Sequence, residues 1–408
     1  MSQFEINLHE AIYSLSDALD LVGVTHIHHG KRVAYIASEC AKVAGWPSER
    51  LDQLFQASIL HDCGVSRTQV HARLAQLEWE NEAEHCQRGA ELLAISPLLS
   101  PLVDLVRYHH THWETLDALA LPQEVKLAAN CIYMADRVDV SCLVARGEEN
   151  NILLVKDKIC SIIQERRGSW FNPDLVDSFQ KVARSEAFWF ALENEHVNGY
   201  VARWLSQAGA IQVPFADLRR LVQVFSRIVD AKSTFTREHS DGVASLSRYL
   251  GELFGLPERT CETLELAGLL HDLGKLRVPD ELLDKNGKLT DTEFATVRRH
   301  SFDTYSVLQN IHGMEEVALW AGQHHERVDG SGYPYHQNAR QISLEGRIIA
   351  VADVFQALAQ TRPYRGPMPP EAILKILQEQ VADGKLDGVV VAKVQDNLQA
   401  CWKASLAS

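Results

Sequence analysis

What this chain lacks narrows its function first. No run approaches the roughly 18–20 consecutive apolar residues of a membrane span, and the opening MSQFEINLHE has neither the basic start nor the apolar core of a secretory signal. Basic residues are in deficit. Forty Lys+Arg against 54 Asp+Glu leave a net charge of −14, which argues against DNA, RNA or anionic membrane as partners, since those need a basic face. The eight cysteines are scattered with no CxxC and no framework spacing, the usage of a cytoplasmic protein with reduced thiols. There is no P-loop, no GxGxxG and no HExxH, so nucleoside triphosphatase, dehydrogenase and zincin chemistry have no support. Alternating apolar and polar runs long enough for a central strand are scarce, which leaves an all-α fold.

What the chain has in excess is histidine, 18 in all, and they cluster. The clusters occur twice. At an offset of 210, residues 29–64 match residues 239–274 at 11 of 36 positions without a gap. The matches include His29 with His239, the Gly45/Pro47 turn with Gly255/Pro257, and His61-Asp62 with His271-Asp272. Five residues of insertion later, His85 falls on His300 and His109-His110 on His324-His325; Asp136 then corresponds to Asp353. Ordered matches that hit His and Asp each time indicate a duplicated domain. The expected domains are 1–205 and 206–408, joined where polar and small residues gather between about Glu193 and Pro214.

Local patterns are helical. Leu218, Leu221, Val222, Phe225, Ile228 and Val229 recur at steps of three and four. Thr290-Asp291-Thr292-Glu293 is a capping-box pattern that starts a helix carrying His300.

In the second copy the candidate ligands are His239, His271, Asp272, His300, His324, His325 and Asp353. Imidazole and carboxylate suit Zn, Mn or Fe alike. Seven ligands exceed what one catalytic ion uses, and a carboxylate beside a histidine can bridge, so the arithmetic favours two divalent ions.

His271-Asp272-Leu273-Gly274-Lys275 and the run from His324-His325 to Gly332-Tyr333-Pro334, with Arg362-Pro363-Tyr364-Arg365 beyond it, resemble the HD-GYP family of metal-dependent phosphohydrolases over about residues 215–400. The resemblance implies a helical HD fold and hydrolysis of a 3′–5′ cyclic dinucleotide, cyclic di-GMP or 3′3′-cyclic GMP-AMP, to the linear dinucleotide and onward to mononucleotides. By position it carries over the seven metal ligands, with Asp272 bridging two Fe or Mn ions and a water activated by both cations attacking phosphorus. Lys275 would neutralise a phosphate oxygen as a point charge, Tyr333 would sit by the base, and Arg362 and Arg365 would reach phosphate or guanine edges. Gly330, Gly332 and Pro334 are turn-formers, and Arg327 and Asp329 either tie the loop or touch ligand.

Two positions depart from the family. Phe235 stands where three-metal members carry a glutamate, which favours two ions. Gln356 replaces the second aspartate of the Asp-Val-Phe-Asp motif, and a neutral amide cannot pair ionically with a lysine. The first copy keeps His29, His61, Asp62, His85, His109, His110 and Asp136, a second candidate metal site. It has Val65 in place of the lysine and no Gly-Tyr-Pro loop. A regulatory or dimerising role for that copy, within a homodimer, is the expectation, and His26 and His28 are bystanders. The competing reading for the whole chain is a non-catalytic cyclic-dinucleotide sensor that signals through a partner protein.

Overall fold

The computed structural model describes residues 2–20, 28–65, 82–146, 151–232, 239–285, 287–360 and 366–406. Phe235, Arg362, Arg365 and His26 lie outside them. The chain divides into two compact units, residues 8–209 and a second unit of residues 1–7 with 210–408. The expected all-α class holds for both. Among the described residues the regular strands are Gln3–Ile6 and Ile211–Pro214, paired antiparallel with Phe4 opposite Val213. Through this pair the first residues of the chain belong with the second unit rather than the first. Phe4, Ile6 and Val213 are the buried members of the pair, so its apolar face holds it in place. Among the described residues no helix is long and apolar enough to cross a membrane.

The second unit is built around the helices His239–Leu253 and Glu258–Leu270, which pack together and against Leu344–Ala359. The amphipathic pattern at 218–229 becomes the helix Phe215–Asp230 and buries Leu218, Leu221, Val222, Phe225, Ile228 and Val229. Each such side chain contributes about 1.5–3 kcal/mol on burial. The capping box forms as expected: the Thr290 hydroxyl accepts from the Glu293 amide, and Glu293 accepts from the Thr290 amide. It starts the helix Asp291–Leu308, with His300 at its middle.

The first unit repeats this plan with His29–Val43, Ser48–Leu60 and the long helix Gln123–Arg146 in mutual contact. One close approach recurs in both units. A Cβ on Gly274 would collide with the carbonyl oxygen of His300, and one on Gly64 would collide with that of His85. Glycine at this position lets the His-Asp turn lie against the helix that carries the next histidine. It brings ligands distant in sequence to one point.

Candidate metal centres

In the second unit each ligand comes from the end or the inner face of a helix. His239 opens His239–Leu253, His271 and Asp272 follow Glu258–Leu270, His324 and His325 follow Glu315–Gly322, and Asp353 lies within Leu344–Ala359. Three imidazoles are oriented by the carbonyl three residues earlier. Nδ1 donates from His271 to Gly268 (2.8 Å), from His300 to Val297 (2.6 Å) and from His324 to Ala321 (2.6 Å). Each Nε2 lone pair is thereby turned inward, the orientation a ligating histidine requires.

The inward atoms form two groups. His239, His271 and Asp353 make one, and His300, His324 and His325 make the other; within each, the ligand atoms lie within 4.8 Å of one another. Asp272 stands between them. Its Oδ2 lies 3.2 Å from His271 Nε2 and 3.8 Å from His239 Nε2. Its Oδ1 lies 3.6 Å from His300 Nε2 and 3.9 Å from His324 Nε2. That Oδ1 is buried and makes no hydrogen bond, an expensive state for a carboxylate oxygen unless a cation satisfies it.

The electrostatics suit cations. Burial, with the neighbouring His325, lowers His300 to about 3, and burial lowers His325 to about 4. Both imidazoles are therefore neutral and available as ligands at ordinary pH. For Asp353, burial opposes ionisation, but the hydrogen bond from His239 and the nearby imidazoles outweigh it and hold the carboxyl well below the usual range. The residues present fit divalent cations.

Lys275 reaches the same centre, with Nζ 2.5 Å from Asp272 Oδ2. Tyr333 lies beside the second group, its ring tilted against that of His325 with centroids 4.9 Å apart. Arg298 lies over the Tyr333 ring at 4.8 Å; nothing in the motif spacing points to it. The loop residues are ties. Asp329 accepts from the Ser331 amide, Arg327 donates to the Ser331 hydroxyl, and the Glu326 carboxylate accepts from the amides of Tyr335 and Gln337. Gly332 is pressed so closely on Glu326 and Arg327 that a side chain there would clash with backbone.

The first unit assembles the corresponding cage. His29 Nε2 lies 3.2 Å from Asp136 Oδ1, and Asp62 splits its oxygens in the same way, Oδ2 toward His61 (3.4 Å) and Oδ1 toward His85 (3.5 Å). His61 and His109 donate through Nδ1 to the carbonyls of Ser58 and Val106. Val65 is buried where Lys275 stands, and its amide closes the same turn onto the Asp62 carbonyl. Two charged groups there escaped the spacing pattern. Asp139 accepts from His29 Nδ1 (2.7 Å) and pairs with Arg32. Arg137 is buried against Asp136 Oδ2, with Nη2 at 2.6 Å. His28 stands apart from the cage, against Asp20 and Lys31.

Two helical units, each with histidines and aspartates converging on one buried point, define a protein of tandem HD domains, and two HD-domain family models match residues 27–141 and 223–390. The 3′3′-cGAMP-specific phosphodiesterase 1 of Vibrio cholerae is 39% identical over 409 residues, covering 99% of this chain and 95% of that protein. The cyclic di-GMP phosphodiesterase response regulator RpfG of Xanthomonas campestris is 37% identical over 164 residues, which is 40% of this chain and 43% of that protein. The crystal structure of the cyclic GMP-AMP-specific phosphodiesterase V-cGAP3 of V. cholerae shares the fold, with a TM-score of 0.63 at 24% identity over 98% of both chains. This chain belongs to the HD-GYP family of phosphohydrolases, with a second HD copy in its N-terminal half.

Proposed function

We propose that the second domain hydrolyses a 3′–5′ cyclic dinucleotide, 3′3′-cyclic GMP-AMP foremost and cyclic di-GMP second, to the linear dinucleotide and then to mononucleotides. The observation that carries this reading is the division of the Asp272 oxygens between two histidine groups. A carboxylate so placed would bridge two ions held by His239, His271 and Asp353 on one side and His300, His324 and His325 on the other. When bound, such ions supply Lewis acidity and an activated water for phosphoester cleavage. The order of substrates rests on the full-length relative, which is specific for cyclic GMP-AMP.

The chain's own groups divide the remaining work. Lys275 places a point charge beside Asp272, where a phosphate oxygen would need neutralising. Tyr333 offers an aromatic face next to the centre for a base. Arg362 and Arg365 are assigned to phosphate or guanine edges from the motif alone. The first domain lacks the lysine and the Gly-Tyr-Pro loop, so it is assigned a regulatory or dimerising role within a cytoplasmic homodimer.

The complete ligand set and the placement of Lys275 favour an enzyme over a sensor, which has no need of a water-activating centre. Purified protein incubated with each cyclic dinucleotide and Mn2+ or Fe2+, with products separated by chromatography, tests the reading. Linear dinucleotide or mononucleotide is expected, with cyclic GMP-AMP consumed fastest. Tight binding with no product would favour the sensor.

A further inference from the structure

The first-domain cage contains a thiol that its counterpart does not. Cys86 follows His85 on the helix Glu82–Leu93, where the second copy has Ser301 after His300. Cys86 Sγ lies 3.7 Å from His85 Nε2 and 3.9 Å from His109 Nε2, and those two nitrogens are 3.4 Å apart. His110 completes a set of four in which every ligand atom lies within 4.8 Å of the others, and all four residues are buried. A tetrahedral zinc ion with bonds of about 2.0–2.1 Å to nitrogen and about 2.3 Å to sulfur has edges of roughly 3.4 Å between nitrogens and roughly 3.6 Å from nitrogen to sulfur. The three distances follow those edges to within a few tenths of an ångström.

The surroundings differ from the second copy in the same sense. Arg137 takes Asp136 Oδ2 with two hydrogen bonds, from Nε at 3.0 Å and Nη2 at 2.6 Å. Asp136 Oδ2 still lies 3.8 Å from His110 Nε2, as the matching Asp353 Oδ2 lies 4.0 Å from His325 Nδ1, but the second copy has Val354 in place of the arginine and so no guanidinium from that position on its oxygen. An oxygen committed to a buried guanidinium is a poor donor to a second cation beside it. Near His110 the first domain has thus replaced a hard oxygen ligand with a soft sulfur one. Asp62 Oδ1, buried and making no hydrogen bond, faces the same point from 3.5 Å off His85 Nε2 and 3.9 Å off His109 Nε2.

We propose that His85, Cys86, His109 and His110 form a closed zinc site of three imidazoles and one thiolate, which ties the helix Glu82–Leu93 to the turn after Val103–Arg107 and has a structural rather than a hydrolytic role. Four protein ligands fill a tetrahedral zinc ion, so no position is left for water or phosphate. Thiolate also selects zinc over the oxygen-preferring Mn2+. Binding releases the Cys86 thiol proton to solvent, and the charge left on the zinc–thiolate unit faces the Asp62 carboxylate. The site differs from the all-oxygen-and-nitrogen centre of the second domain, and it does not depend on what that centre hydrolyses.

The test uses the full chain, stripped by a chelator and reloaded with Co2+ as a spectroscopic substitute for zinc. A thiolate-to-cobalt charge-transfer band in the near ultraviolet, with strong tetrahedral visible bands, is expected from the wild type. Cys86→Ser, which installs the second copy's own residue, should lose the charge-transfer band and one tightly held zinc per chain. Cys160→Ser, on another helix, should keep both. X-ray absorption at the zinc edge of the wild-type protein needs no variant and should show a sulfur shell at about 2.3 Å. A wild type without the band, a Cys86→Ser protein that retains it, or a zinc shell of nitrogen and oxygen alone would overturn the proposal.

Discussion

The side-chain oxygen of Gln356 lies 2.5 Å from His239 Nδ1, and both residues are buried. That contact gives the departure from the family motif a physical role. The amide oxygen accepts the Nδ1 proton and turns the Nε2 lone pair toward Asp353, 3.2 Å away. Lys275 has no need of a carboxylate at 356, since it pairs with Asp272. The first copy solves the same problem with a carboxylate, Asp139, against His29. Gln356→Leu should therefore leave the fold intact and weaken metal binding by about 10–100-fold, the usual cost of losing a ligand's orienting partner. Competition against a chelator of known affinity measures it.

Lys275 is the cation that distinguishes the second centre from the first. Removing one well-placed electrostatic donor from a partly dry site costs about 10²–10³ in rate. Lys275→Ala should lower kcat by that factor for cyclic dinucleotide while the metal content, read by elemental analysis, stays at the wild-type value.

The stoichiometry of metal follows from the two ligand groups joined by Asp272. With the first-domain ligands removed by replacing His61, Asp62, His85 and His109 with alanine, about two ions per chain should remain. Three ions remaining in the second domain would contradict the two-ion assignment.

Asp230 predicts a pH dependence of stability. It accepts from the Ser240 hydroxyl at 3.0 Å, and burial pushes its carboxyl up to about 7, against the opposing pull of that hydrogen bond and of Arg227. A carboxyl raised above its unfolded value of about 3.9 binds its proton more tightly when folded. Its contribution is fully present below the unfolded value and is lost as pH rises through about 7. Asp230→Asn keeps an acceptor for Ser240 and removes the buried charge. In metal-free protein it should raise Tm at pH 8 by roughly 3–6 °C and by only about a third of that at pH 5, where the unfolded carboxyl has ionised and the folded one has not, by scanning calorimetry.

Much of this architecture was legible in the sequence because it is written in strong local signals. The His and Asp spacing picked out side chains that the fold brings close together in each unit, the capping box located the helix of His300, and the three-four periodicity located the helix Phe215–Asp230. What escaped lacked a local signal. The strand Gln3–Ile6 pairs with Ile211–Pro214, far along the chain, and four alternating residues carry too little periodicity to announce it. Cys86, Arg137 and Asp139 sit where the second copy has Ser301, Val354 and Gln356, so a pattern built on what the copies share passes over them. Their roles come from burial beside the ligands.

The measurement that tests the central claim most directly compares two double variants of the full chain, His271→Ala with Asp272→Ala and His61→Ala with Asp62→Ala. Each is first shown to be folded and is then assayed for cyclic GMP-AMP hydrolysis at saturating metal. Removing the second-domain pair should abolish product formation. Removing the first-domain pair should leave the chemical step intact, with at most an indirect loss through first-domain stability. Equal loss from both, or activity that survives without His271 and Asp272, would contradict the assignment of hydrolysis to the second centre.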